Sequence, residues 1–270
     1  MFINAHGTNM PDTEKAVSQT YRHLLIRTVP DGFQFGRATT TGDMVQKLKL
    51  YAAIDFPDLL ETHLRENNWL KRNDLKVTLI DFAHRFMVLP NSFSDDESIE
   101  DLFRFQNGEE EEQQTYMAPL DDEKQTFCWQ IPSGRDEQFE GMFANLTLLT
   151  SCYILANWTL NQAKESKLTL LTAYFYGRHL QLFVASPNNL LFANSFIARD
   201  DEETCYFVLR CVDQLELDPR TLTVCLSCEG ESFQKMHDLF QPYLANILEG
   251  EFTHQPDKPF RICLKNAATE

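Results

Sequence analysis

Three consecutive strands are predicted between residues 167 and 197, and this feature constrains the fold of the chain more than any other. Apolar segments at Lys167–Tyr176, His179–Ala185 and Leu190–Ile197 are separated by short turns, one around Gly177 and one containing Pro-Asn-Asn. These turn residues favour the backbone conformations that tight turns require. Because such short connections join antiparallel neighbours, the segment predicts a three-stranded meander.

A helix, a strand, a second helix and a final strand are predicted to follow the meander. Asp200, with Glu203 three residues later, indicates the start of the first helix. The apolar run Leu222–Leu226 indicates a buried strand. Ser232 is a favourable N-cap for the second helix, and Phe260–Leu264 is the last predicted strand.

The first half of the chain repeats this order. Strands are predicted at Arg22–Val29, Phe33–Thr39 and Met44–Ala52, then a helix, a strand at Leu75–Ile80, another helix and a strand at Gln125–Ile131. The two halves therefore predict a duplicated structure without obvious identity of residues. Three meandering strands followed by alternating helices and strands are the layout of a ribonuclease H-like unit, and two such units in tandem make the actin-like architecture.

We therefore expect an α/β protein with a duplicated ribonuclease H-like (actin-like ATPase) fold and two mixed-sheet lobes. The first lobe is expected at 20–166 and the second at 167–270, after a flexible N-terminal arm at 1–19. A chain of 270 residues buries enough surface to fold without a metal or a disulfide.

Two further features are predicted in the first lobe. The sequence GEEEEQQ, from Gly108 to Gln114, predicts a polar loop within an acidic region near 107–123. Closer to the second lobe, a strand at Leu146–Leu149 and a helix across Tyr153–Ala163 are predicted.

Charge and cysteine usage restrict the partners and the location. The chain has 40 acidic and 24 basic residues, and its net charge of -16 repels a phosphate backbone, so nucleic acid is not expected as a partner. No apolar run is long enough for a membrane span, and the N-terminus lacks the apolar core of a signal peptide. Most of the seven cysteines lie in apolar stretches, as reduced buried thiols do, so we expect a cytoplasmic protein.

Several segments resemble a known family. FMVLPNSFSDDESIEDLFRFQ, and later NNLLFANSF, LDP and TVCLSCEG, are similar to an uncharacterised bacterial family called domain of unknown function 3822. The resemblance covers roughly residues 20 to 264. The family is similar in layout to actin-like proteins such as the pilus adaptor PilM, so the resemblance implies the fold, while no established biochemical role comes with it.

The resemblance to actin-like ATPases implies a phosphate-binding turn in each half, and both turns depart from the expected pattern. The turn in the first half has Asp31 and Gly32 without a following Ser or Thr, and Pro30 has no N–H to donate. The turn in the second half, around Gly177, has no acidic residue. Both turns therefore lack side chains that such ATPases use.

The loop expected to hold adenosine also departs from the pattern. Gly230 stands alone between Glu229 and Glu231, and these carboxylates would repel a phosphate-bearing ligand. We therefore interpret the nucleotide motifs as degenerate. The residues that would line the cleft, if a nucleotide bound at all, are Asp31, Gly32, Gly177 and Gly230.

Other chemistries lack the residues that they need. A ribonuclease H-like nuclease needs a metal-binding Asp on its first strand, and neither Arg22–Val29 nor Leu168–Tyr176 has an acidic residue. Cys225 and Cys228 have C-x-x-C spacing, but Cys225 lies inside a predicted strand and Cys228 would face the other side by alternation, which indicates a structural role. No catalytic residue and no metal ligand are therefore predicted.

The leading hypothesis is a non-catalytic protein, a pseudo-ATPase that binds a protein partner as an adaptor or assembly factor and needs no cofactor. Its partner would bind in the cleft between the lobes or along an exposed strand edge. The alternative is an atypical nucleotide-binding or sensing protein without efficient hydrolysis. Nucleotide titration separates the two hypotheses.

Overall fold

The computed structural model describes residues 21–39, 44–52, 75–83, 85–93, 96–108, 113–133, 139, 141–229, 232–255 and 258–264. The strands in these residues are β1 (Tyr21–Val29), β2 (Gly32–Thr39), β3 (Met44–Ala52), β4 (Lys76–Asp81), β5 (Phe86–Pro90), β6 (Gln113–Pro119), β7 (Gln125–Pro132), β8 (Leu146–Thr150), β9 (Leu170–Tyr176), β10 (His179–Ser186), β11 (Asn189–Ile197), β12 (Thr223–Glu229), β13 (Asn246–Gln255) and β14 (Lys258–Leu264). The helices are α1 (Asp96–Asn107), α2 (Ser151–Ser166), α3 (Asp201–Gln214) and α4 (Phe233–Phe240).

The described strands form three sheets, and five strands of each of the two larger sheets have the same topology. The first sheet has the order β3-β2-β1-β4-β8, and the second has the order β11-β10-β9-β12-β13-β14. In both sheets an antiparallel meander is extended by parallel strands beside its first strand. The predicted duplication of an actin-like α/β fold is therefore confirmed.

The third sheet is small and was not predicted. It has the order β5-β7-β6, and α1 packs on one of its faces. The strand predicted at Gln125–Ile131 is present as β7, but its predicted place as the fifth strand of the first lobe is wrong, because β7 belongs to this small sheet. The fifth strand is β8, from the segment predicted at Leu146–Leu149, and β6 begins at Gln113 within the predicted acidic loop.

The end of the second sheet also differs from the prediction. The strand expected at Phe260–Leu264 is present as β14, but the fifth position of the sheet is occupied by β13, which was missed. The sequence NILEGEFTHQ interrupts its apolar residues with Glu249, Gly250 and Glu251, so it lacks the continuous apolar run of a buried parallel strand.

The helix ends follow the local sequence. Asp200 accepts a hydrogen bond from the N–H of Glu203 at 2.8 Å and begins α3, as predicted. Ser232 occupies the N-cap position of α4, although its side chain makes no capping hydrogen bond. Lys167 ends α2 in the left-handed conformation with φ of 60°.

None of the helices that the structure describes is long and apolar enough to cross a membrane.

The largest core joins the two halves of the chain. Helix α2 follows β8 of the first sheet and packs on β9 and β10 of the second. Its buried side chains, such as Leu155, lie in one cluster with Trp129 of the small sheet and Phe183 of β10. A second cluster lies on the opposite face of the second sheet, under α3 and α4. The predicted N-terminal arm at 1–19 and the predicted helix between β3 and β4 lie outside the described residues.

Candidate functional site: the junction between the two sheets

The ends of β1, β9 and β12 meet between the two large sheets, and we call this place the junction. Arg27 lies on β1 with only 1% of its surface exposed. A buried charge is expensive unless it is paired. The Nη1 of Arg27 donates hydrogen bonds to both carboxylate oxygens of Glu229, at 2.7 and 2.8 Å, and its Nη2 donates to the hydroxyl of Tyr174. The two sheets are therefore joined by a buried, charge-assisted contact.

The electrostatics of this cluster favour a charged Arg27 beside a neutral Tyr174. Burial lowers the pKa of Arg27, but the nearby Tyr174 and Glu229 outweigh this effect and raise it overall. Burial also raises the pKa of the Tyr174 hydroxyl, which keeps its proton. Glu229 therefore supplies the negative charge that compensates the buried guanidinium.

A second contact joins the two turns that correspond to the phosphate-binding turns. The hydroxyl of Tyr176, at the end of β9, donates a hydrogen bond to Oδ1 of Asp31 in the β1–β2 turn at 2.5 Å. Burial and the neighbouring Asp31 carboxylate raise the pKa of Tyr176, so the phenol remains the donor. The N–H of Gly177 donates to the backbone carbonyl of Glu229 at 3.4 Å, and Gly177 has φ of 55°, which glycine adopts without strain.

Aromatic side chains fill the space beside these polar contacts. The ring of Phe82, which follows β4, lies 6.4 Å from the Tyr174 ring, 5.9 Å from the Tyr176 ring and 5.5 Å from the His179 ring. Burial lowers the pKa of His179, which therefore favours its neutral form near neutral pH. The junction is thus a packed interface in which the polar groups contact each other.

Thr28 and Asp81 stabilise the first-sheet side of the junction. The Thr28 hydroxyl donates to Oδ1 of Asp81 at 2.7 Å and accepts a hydrogen bond from the N–H of Phe82 at 2.9 Å. Asp81 is the last residue of β4 and is only 3% exposed. These bonds hold the ends of β1 and β4 together, one residue after Arg27 on β1.

The structure brings together three of the four predicted cleft residues. Asp31, Gly32 and Gly177 all lie at the junction, whereas Gly230 and the neighbouring Glu231 lie outside the described residues. Glu229, expected to repel a phosphate, is the carboxylate that pairs with Arg27.

Sequence reasoning missed Arg27, Tyr174 and Tyr176. The available signal was a basic residue inside the apolar strand LLIRTV, which implies a buried counter-ion without saying where it lies.

The predicted structural role of the two C-x-x-C cysteines agrees with their positions. Cys225 lies in the core on one face of β12, and Cys228 packs against the cluster on the other face. Burial raises the pKa of Cys225 to about 12, so its thiol is a poor nucleophile. Within the described residues, no group of His, Cys, Asp and Glu side chains is arranged to hold a metal ion.

Two large sheets of one topology, joined between their paired turns, define a protein with the actin-like ATPase fold. Solved structures support this class. A protein of actin-like ATPase fold and unknown function from Bacteroides thetaiotaomicron aligns with a TM-score of 0.75 and 17% identity, over 89% of this chain and 94% of that chain. A chain of the PilM–PilN type IV pilus biogenesis complex aligns with a TM-score of 0.53 and 12% identity, over 84% and 87%. At these identities the likeness establishes the fold alone.

The family is also established. The model of the family described as protein of unknown function (DUF3822) matches residues 11–247, and the chain belongs to this family. The resemblance seen in the sequence is therefore confirmed. No curated protein matches the chain.

Proposed function

We propose that this protein is a non-catalytic member of the actin-like class that works by binding another protein, as an adaptor or assembly factor. The observation that carries the proposal is the junction itself. Side chains from the two halves contact each other between the two turns, which in an actin-like ATPase would hold phosphate. The Arg27–Glu229 ion pair and the Tyr176–Asp31 hydrogen bond are the central contacts.

A nucleotide whose phosphates bound between the two turns would have to displace these contacts. Moving Glu229 away from Arg27 breaks a charge-assisted pair of a buried guanidinium, and this cost is offset only if a phosphate takes the place of the carboxylate. The Glu229 carboxylate would also repel a triphosphate, because like charges at short range disfavour binding. Nucleotide binding would therefore have to overcome both the lost ion pair and this repulsion.

Two observations favour a protein partner. The retained two-sheet scaffold is similar to a chain of the PilM–PilN complex, in which an actin-like protein is found with another protein. The net charge of -16 also favours association with a basic protein surface, because complementary charges accelerate encounter. An assembly role therefore explains why a scaffold of this class persists with its junction filled.

Reciprocal affinity purification, followed by reconstitution from purified components, tests the proposal. We expect a direct complex whose dissociation constant is the same with and without Mg-ATP. ATP turnover by the purified protein, abolished by the variant Asp31→Ala, would contradict the proposal. The variant Asp213→Asn, which changes an exposed carboxylate paired with Arg210 on α3, serves as the control for turnover.

A further inference from the structure

One edge strand of the second sheet, β11, carries no charge and no proline that would hinder pairing with another strand. Natural edge strands are short or carry charges, prolines or bulges, because an exposed edge recruits further strands. Strand β11 is nine residues long, with the sequence NLLFANSFI, and has neither a charged residue nor a proline.

Every other edge strand in the described part of the chain has such protection. The opposite edge of the same sheet, β14, contains Lys258, Pro259 and Arg261. Strand β3 contains two lysines, β5 and β6 each end in a proline, and β8 has only five residues. Within the described part of the chain, β11 is therefore the exception, and its open part is the segment beyond Leu191.

The N-terminal end of β11 already binds an amide from elsewhere in the chain. The side-chain amide of Gln125 donates to the carbonyl oxygen of Leu190 at 3.2 Å, and its oxygen accepts from the N–H of Leu190 at 3.1 Å. A strand paired with β11 would make the same two hydrogen bonds to the backbone of Leu190. The register with β10 skips Leu191, which marks a bulge, and beyond it the strand continues regularly from Phe192 to Ile197.

An aromatic surface lies beside this regular part of the edge. Phe196 of β11 stacks on Phe207 of α3 with ring centroids 4.3 Å apart. The ring of Tyr206 lies 5.7 Å from that of Phe207 and is 61% exposed. Phe192 lies on the same face of β11, because it and Phe196 are both packed against the cluster under α3. A strand added to β11 would place every second side chain on these rings.

The helix beside this surface is acidic. The first turn of α3 contains Asp201, Glu202 and Glu203, and Asp200 caps it. Arg199 pairs with Glu203 at 2.9 Å and Lys235 pairs with Asp201 at 3.1 Å, whereas Glu202 is an exposed carboxylate on the side of the helix that carries Tyr206. A ligand at this edge is therefore favoured if it carries Lys or Arg beside its apolar residues.

We propose that the edge of β11 and the adjoining surface of Phe192, Phe196, Phe207, Tyr206 and Glu202 bind an extended basic segment of a partner protein as an added strand. Main-chain hydrogen bonds to β11 provide affinity, and alternate apolar side chains on the aromatic rings provide specificity. This inference rests on the proposed protein-binding function and assigns it a surface.

Selection of displayed random octapeptides on the full-length protein tests the inference. We expect enriched peptides that alternate apolar residues with Lys or Arg and contain no proline at the centre. Binding of a synthetic copy should fall at least about tenfold in Tyr206→Ala and in Glu202→Lys, since each variant removes a contact of order 1.4 kcal/mol. The matched controls Tyr243→Ala, an equally exposed tyrosine, and Glu100→Lys, an exposed acid on α1, should bind as the wild type does.

Three results would overturn the inference. Selection could enrich no peptide, or the enriched peptides could bind all four variants equally, which would place them elsewhere. Concentration-dependent dimerisation that Tyr206→Ala abolishes would identify a second copy of the chain as the occupant of this surface. The proposed function stands apart from these results: it is supported by a direct complex with a purified partner that is insensitive to Mg-ATP, wherever on the protein that partner binds.

Discussion

Arg27 and Glu229 lie 202 positions apart in the sequence and form the ion pair that joins the two large sheets. One nitrogen of the Arg27 guanidinium lies 2.7 and 2.8 Å from the two carboxylate oxygens of Glu229. The side chain of Arg27 is 2% exposed and that of Glu229 is 25% exposed. Removing one partner of such a pair is destabilising chiefly because it leaves the other charge buried and uncompensated. The loss of unfolding free energy in such a variant can be measured.

The variant Glu229→Gln should lose about 3 kcal/mol of unfolding free energy, because it leaves the buried guanidinium without a carboxylate. Urea denaturation gives the value. The control Asp213→Asn breaks an exposed ion pair with Arg210 and should cost less than about 0.5 kcal/mol.

The double variant Arg27→Met, Glu229→Leu should regain most of that loss, to within about 1 kcal/mol of the wild type, because apolar replacement of a buried pair is often neutral. If Glu229→Gln costs no more than Asp213→Asn, the pair does not hold the junction.

Replacing Tyr176 by Phe should loosen the contact between the two turns. The variant removes the hydroxyl that donates to Asp31, and we expect a loss of about 1 kcal/mol. Hydrogen exchange should accelerate at residues 31–32 and 177–178. Tyr206→Phe, which changes an exposed tyrosine, should leave exchange at these turns unchanged. Unaltered exchange in Tyr176→Phe would show that its hydroxyl does not restrain the turns.

The buried thiols should make the protein less stable at alkaline pH. Burial raises the pKa of Cys128 to about 11 and the pKa values of Cys211 and Cys225 to about 12 each, from an ordinary value of 9.0. Above pH 9 the unfolded chain releases these protons while the folded chain retains them, so the free energy of unfolding falls as pH rises. Below pH 9 this contribution is fully present.

The variant Cys225→Ala isolates one of these contributions. Between pH 8 and pH 10.5 its unfolding free energy should fall by about 2 kcal/mol less than that of the wild type, since each pH unit above 9 contributes about 1.36 kcal/mol per thiol. Parallel pH profiles for the two proteins would show that Cys225 titrates equally in the folded and unfolded states.

Gln181 of β10 is a buried polar residue whose replacement should be tolerated. It is fully buried, and within the described part of the chain neither its amide oxygen nor its nitrogen has a hydrogen-bond partner. Gln181→Met should therefore leave the free energy of unfolding unchanged or raise it by about 1 kcal/mol. The control Thr172→Val removes a buried hydroxyl that is bonded to Thr159 at 2.8 Å and should cost about 1 kcal/mol. A larger loss in Gln181→Met than in Thr172→Val would contradict this reading.

The sequence predicted the two meanders because their turns are short and their strands are strongly apolar. Strands β9, β10 and β11 were predicted to within three residues at each end, and the duplication followed from seeing the same order twice. The small sheet was missed because an insertion interrupts this order after β4. Its strand β7 has the same apolar pattern as the fifth strand that was expected at that point.

The junction could be predicted only in part. Asp31, Gly32 and Gly177 could be predicted, because they lie in the two turns that the resemblance to actin-like ATPases places on either side of the cleft. The pairing of Arg27 with Glu229 depends on how β1 and β12 approach each other in three dimensions. Sequence periodicity assigns a residue to a face of its own strand and does not specify a partner on another sheet.

The unfolding free energy measured with and without saturating Mg-nucleotide tests the central claim most directly, namely that the junction is filled by the chain's own side chains. We predict no change with Mg-ATP, Mg-ADP or Mg-GTP. A rise of about 2.7 kcal/mol, expected for a ligand at a hundredfold excess over its Kd, would contradict the account if Asp31→Ala abolished it.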